Sequence, residues 1–131
     1  RIILLSTKNT ERTRTNMDRI NKKVLSAVKQ SLRFYIPEVV EMDFRQVLEL
    51  ESRTKYIAHC YDDMIKQNHK STNHEFTNIL VLIGPEGDFT MDEIVLAKKH
   101  KFIPVSLGKS RLRVETAGVV ASGIVNWKNG I

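Results

Sequence analysis

Apolar residues along this chain follow two patterns: short unbroken runs, and stretches where they return every three or four positions. Ile2, Ile3, Leu4 and Leu5 make the first run and predict a buried strand, followed by a polar, basic stretch over 6–15. From Asn16 the period changes. Ile20, Val24, Ala27 and Val28 share one helical face, with Lys22, Lys23, Lys29 and Arg33 mostly turned elsewhere. Pro37 stops that helix, and Val39 and Val40 lead into a second strand. Phe44, Val47 and Leu48 mark a short amphipathic helix, and 56–60 a third strand. The polar stretch 62–75 reads as an exposed, mobile loop long enough to be functional. The strongest strand signal is the run from Ile79 to Ile83, whose unbroken apolar character suits a central parallel strand covered on both faces.

The next helix has a well-marked start. Thr90 and Glu93 have capping-box spacing, and Phe89 and Ile94 can close a hydrophobic staple across it. His100 and Lys101 sit near its C-terminal end, where the helix dipole favours positive charge. A strand over 103–107 and a final apolar helix over 115–127 complete the chain. Strands alternating with helices predict an α/β fold with a mostly parallel sheet flanked by helices.

Length and charge narrow the class. A chain of 131 residues suffices for one compact domain. The most apolar run, 79–84, is far too short to span a bilayer, and no basic-then-apolar leader opens the chain. One cysteine, Cys60, rules out an internal disulfide and fits a reducing compartment. A cytoplasmic protein without a membrane partner is therefore expected. The net charge of +6 would attract a polyanion such as RNA, and its basic residues concentrate at 8–33 and 98–113.

Candidate chemistry gathers where strands end, because parallel α/β sheets place ligands outside the C-terminal ends of their strands. Three features fall there: Gly84-Pro85-Glu86-Gly87-Asp88-Phe89, then Ser106-Leu107-Gly108, then Leu112-Arg113-Val114-Glu115-Thr116-Ala117. Gly84 and Gly87 let the backbone approach a flat ligand, and Pro85 fixes one turn dihedral. Backbone amides and carbonyls there can read the edge of an adenine, with Leu107 and Leu112 as apolar walls. Taken singly, each loop reads as an ordinary tight turn. Neither the G-x-G-x-x-G spacing nor a P-loop lysine is present, so spacing alone yields a small-molecule site of low specificity. His59, His69, His74 and His100 lack metal-ligand spacing with Cys60, so no metal is expected. His59 and Cys60 are no nucleophile pair, since neighbours on a strand face opposite ways.

Read together, Gly-Pro-Glu-Gly-Asp-Phe and Ser-Leu-Gly-Lys-Ser-Arg-Leu-Arg-Val-Glu-Thr-Ala resemble a known family. It is the ribosomal RNA small subunit methyltransferase E family, bacterial 16S rRNA uridine-N3 methyltransferases of the SPOUT superfamily. Glu11-Arg12, Lys29-Gln30-Ser31 and Pro37-Glu38-Val39 match it as well, so the resemblance covers nearly the whole chain. It implies a SPOUT-type fold with a C-terminal trefoil knot, S-adenosylmethionine as cofactor, a homodimer, and the small ribosomal subunit as partner. It implies that Leu82, Ile83, Gly84, Pro85, Gly87, Ser106, Leu107, Gly108, Leu112, Arg113, Thr116 and Ala117 form the cofactor site. Arg12, Arg14, Gln30 and Arg33 are the implied RNA contacts. Family members also carry an N-terminal PUA-like RNA-binding barrel, then a strand and a helix, so this chain is expected to be the methyltransferase domain without them. Four positions depart: the family usually has Gly at Asp88 and at Leu32, an aliphatic residue at Arg111 and Thr at Val114.

Methyl transfer from a sulfonium is an in-line displacement that needs no metal, so positioning should dominate. Uridine N3 must lose its proton, and a cation stabilising the developing anion would help. Arg113 is the first candidate for that role; a structural or phosphate-contacting role is the equal alternative. Glu115 can accept the proton, pair with Arg113, or simply open its helix as a dipole-favoured acid. Two rivals stand beside this reading: a related methyltransferase acting on another RNA atom, such as a transfer RNA ribose hydroxyl, and a non-catalytic RNA-binding module.

Overall fold

The computed structural model describes residues 1–11, 14–61, 67–68 and 78–129. Its elements run β1 (Ile2–Ser6), α1 (Met17–Gln30), β2 (Val39–Asp43), α2 (Phe44–Leu48), β3 (Thr54–Ala58) and β4 (Gln67–Asn68). The second half follows as β5 (Ile79–Ile83), α3 (Met91–Lys99), β6 (Phe102–Ser106) and α4 (Val114–Lys128). It is the expected α/β alternation, and every strand pair is parallel.

Local chemistry explains most boundaries. Asn16 caps α1 by accepting from the Arg19 amide at 3.0 Å. Asp43 and Gln46 close a reciprocal capping box on α2, each side chain 2.9 Å from the other's backbone N–H. At α3 only half of the expected box forms. Thr90 accepts from the Glu93 amide at 3.2 Å, but Glu93 Oε1 accepts instead from the Lys8 amide at 3.0 Å, tying the β1 loop to this helix. Phe89 and Ile94, the expected staple, both lie in the core.

The strands form two sheets, β1-β2 and β4-β6-β3-β5. This corrects the expectation for 79–83: β5 ends its sheet, and β3 is the central, most buried strand. An unbroken apolar run reports covered faces, whereas strand order is set by the crossover, which carries the chain from β5 through α3 to the far side of β3. The short β4 pairs with β6 within the stretch expected to be a loop, most of which lies outside the described residues.

The core packs α2 and α3 against the four-stranded sheet. Val47, Ile57, Phe89, Ile94 and Ala97 are fully buried, and the Phe44 and Phe89 rings meet at 5.9 Å. By contrast α1 buries none of its residues. Between β1 and β5 lies a cavity of about 830 Å³. Consecutive residues of both strands line it, and since neighbours on a strand face opposite ways, each strand presents its unpaired edge; α4, from Val114 to Asn126, lines it as well. Among the described residues, no helix is long and apolar enough to cross a membrane.

Candidate cofactor site

Strand order builds the site. Because β5 and β6 flank β3, the loops that follow them straddle its C-terminal end. A second cavity, about 580 Å³, opens there. One wall is the loop after β5, another runs from Ser106 to Val114, and the end of β3 at Ala58, His59 and Cys60 completes it.

The structure brings together Ile83, Gly84, Pro85, Ser106, Leu107, Gly108, Leu112, Arg113 and Ala117, nine residues that the sequence points to. Leu107 and Leu112 are half-buried, as apolar walls should be, and Ala117 is buried in the first turns of α4. Arg113 stands exposed at the N-cap of α4. Ser106 Oγ donates to the Gly108 carbonyl at 2.7 Å and shapes the loop after β6. Arg111 Nη2 donates to the Glu86 carbonyl at 3.1 Å, joining the two loops.

Four expected members fall outside the lining. Leu82 is 4% exposed and belongs to the core, because its neighbour Ile83 takes the opposite side of β5. Thr116 and Glu115 are exposed on the first turn of α4. At Gly87 a Cβ would stand 3.1 Å from the Asn9 Cβ, so this glycine makes room for the chain's own β1 loop. Gly84 does line the cavity, but a Cβ there would also meet the chain itself, 3.1 Å from the Phe89 ring and 3.2 Å from Asp88 Oδ1.

The lining also takes in residues that the sequence reading did not assign to the site: Ala58, His59 and Cys60 from the end of β3, and Glu86, Asp88, Lys109, Ser110, Arg111 and Val114 from within the two loops. The rule that ligands sit at strand ends applies to β3 as much as to β5, and was the signal available for its end. Of the expected RNA contacts, Arg14, Gln30 and Arg33 are exposed at the two ends of α1, and Arg12 lies outside the described residues. Among the described residues no group of three or more His, Cys, Asp or Glu is placed to hold a metal ion.

Residues 1–126 match the model of the RNA methyltransferase domain family. The chain belongs to that family. A ribosomal RNA small subunit methyltransferase E of Rickettsia conorii is 30% identical over 125 residues, covering 92% of this chain and 51% of the relative. Among solved structures, a probable rRNA-methyltransferase from Porphyromonas gingivalis superposes with a TM-score of 0.84 at 34% identity, covering 96% of this chain and 53% of that one. A putative methyltransferase from Legionella pneumophila, solved with bound SAM, gives 0.78 at 27% identity and covers 94% and 53%. The chain thus spans about half the length of the relatives it matches.

Proposed function

We propose that this domain binds S-adenosylmethionine in the pocket over the end of β3 and methylates N3 of a uridine in 16S ribosomal RNA. One observation carries the reading: the two segments on which the family resemblance rests, separated in sequence by α3, line one cavity. The bound SAM of the Legionella relative and the rRNA substrate named for the others support it. The cavity suits the cofactor, since about 580 Å³ lies within the range of roughly 300–1,000 Å³ usual for such ligands. Backbone-rich loops and two leucines match a ligand with one flat ring and several polar edges. The SPOUT-type trefoil knot and the homodimer are part of the same proposal, and the exposed Val119 and Trp127 of α4 offer apolar surface to a second copy.

When bound, the cofactor supplies an electrophilic methyl group on a sulfonium. The chain's own part is to hold a uridine beside it and favour the N3 anion. We assign that role to Arg113, which lies on the lining and is exposed. Glu115 lies outside the lining, and its place in the first turn of α4 is accounted for by the helix dipole. Arg14, Gln30 and Arg33, at the two ends of α1, are exposed and available to phosphates.

Calorimetry with S-adenosylmethionine is the decisive test: saturable binding is expected, and its absence would overturn the reading. In a form that turns over, Arg113→Ala should lower the rate about 100-fold, the typical effect of removing one stabilising donor, with little change in cofactor affinity. An unchanged rate removes Arg113 from the chemistry. Mapping the methylated nucleotide separates uridine N3 from any other RNA atom.

A further inference from the structure

The loop after β5 is held by two side chains, Asp88 and Asn9. Asp88 is buried, with φ at 60°. Its Oδ2 accepts from the Cys60 amide at 2.8 Å, and its Oδ1 accepts from the Phe89 amide at 2.7 Å. The carboxylate therefore ties the loop after β5 to the end of β3, across the floor of the pocket. From the opposite flank, Asn9 Nδ2 donates to the carbonyls of Gly87 and Asp88, both at 3.1 Å. A tight turn closes between them, the Asp88 amide donating to the Pro85 carbonyl at 2.8 Å.

We propose that Asp88 and Asn9 are positioning residues that form a two-sided clamp, fixing the Gly84–Asp88 loop in its cofactor-binding shape before the cofactor arrives. The proposal rests on the methyl-donor reading of this pocket. The two side chains make four hydrogen bonds to backbone, three of them to Gly87, Asp88 and Phe89 and the fourth to Cys60 just past β3. Asp88 also pays a conformational cost to stand there, because a non-glycine residue in the left-handed region is disfavoured. Where the family resemblance expects glycine, this chain spends that strain on a carboxylate with two backbone donors. A loop already ordered has less freedom to lose on binding, and an unclamped loop binds more weakly in proportion to the time it spends in other shapes.

Asp88→Gly and Asp88→Asn separate the clamp from the backbone shape. Glycine suits φ of 60° best and removes both acceptors. Asparagine tolerates the same φ but offers one oxygen to two N–H donors, whichever way its amide is turned. If only backbone shape matters, the glycine variant binds S-adenosylmethionine at least as well as the parent. If the clamp matters, both variants bind about tenfold more weakly, the loss expected when a buried donor is left without its acceptor. Asn9→Ala should weaken binding in the same direction.

Hydrogen exchange supplies the readout that a merely structural role would not move. In the free variants the amides of Gly87 and Phe89 should exchange faster while those of β3 and α3 are unchanged, and saturating cofactor should restore their protection. Faster exchange throughout the domain, or parent-like affinity in Asp88→Gly, overturns the clamp. A parent chain that binds no cofactor overturns the methyl-donor reading instead, and loop exchange in the free variants still tests the clamp.

Discussion

Leu32 shows how far a single residue can be read from sequence. The family resemblance expects glycine there, and the structure supplies the reason. The chain leaves α1 through paired closing bonds, Arg33 N–H to the Val28 carbonyl at 3.1 Å and Leu32 N–H to the Lys29 carbonyl at 3.3 Å. That geometry places Leu32 just past the helix with φ at 52°, where glycine is the favoured residue. Its side chain is 84% exposed and has little packing to lose. Leu32→Gly should therefore stabilise the domain by about 1 kcal/mol, seen as a melting temperature a few degrees higher. Gly84 and Gly87 teach the opposite lesson. Their positions were legible as loop glycines, but the atoms that crowd them, from Phe89, Asp88 and Asn9, are distant in sequence or follow from the loop's own fold. A glycine announces a close approach without saying by what.

At the scale of elements, hydrophobic period was legible because it is local, whereas of the capping bonds only Thr90 to Glu93 was expected. Asn16 opens α1, Thr90 caps α3, and the apolar positions of α2 are Phe44, Val47 and Leu48. The partner of Glu93 was not legible, since Lys8 lies 85 residues away in sequence. Nor was the central place of β3, because pairing order depends on the path of a crossover and not on the composition of either strand. That one miss hid the floor of the pocket, where His59 and Cys60 carry no motif. The cap at α3 can be measured directly. Thr90→Ala removes the acceptor for the Glu93 amide and should cost about 1 kcal/mol in denaturant unfolding, with the slope unchanged.

For the whole molecule, the two segments that carry the family resemblance do line one cavity. What they could not convey is how the two sheets are joined. Among the described residues no backbone ladder connects β1-β2 to the rest; β1 and β5 face each other across the large cavity with unpaired edges. The junction relies on side chains and on a few bonds, among them Lys8 to Glu93 and Asn9 to Gly87 and Asp88. Elements attached in this way tend to open as a unit, at a lower free energy than the core.

Asn9 makes that junction part of the binding equilibrium. The residue that steadies the cofactor loop stands just past the end of β1, on the less firmly attached sheet. Opening of β1-β2 releases the loop, so a ligand that selects the clamped loop must also oppose the opening, and thermodynamic linkage makes the two effects equal. Saturating S-adenosylmethionine should accordingly slow amide exchange in Ile2–Ser6 and Val39–Asp43, neither of which borders the β3 pocket. Asn9→Ala should abolish that protection while leaving the protection of the pocket loops at saturation. Exchange in β1 that ignores the cofactor would mean the two sheets open independently. The slot between the sheets thus gives the domain a way for events at its first strand to tune the affinity of a pocket built from its last.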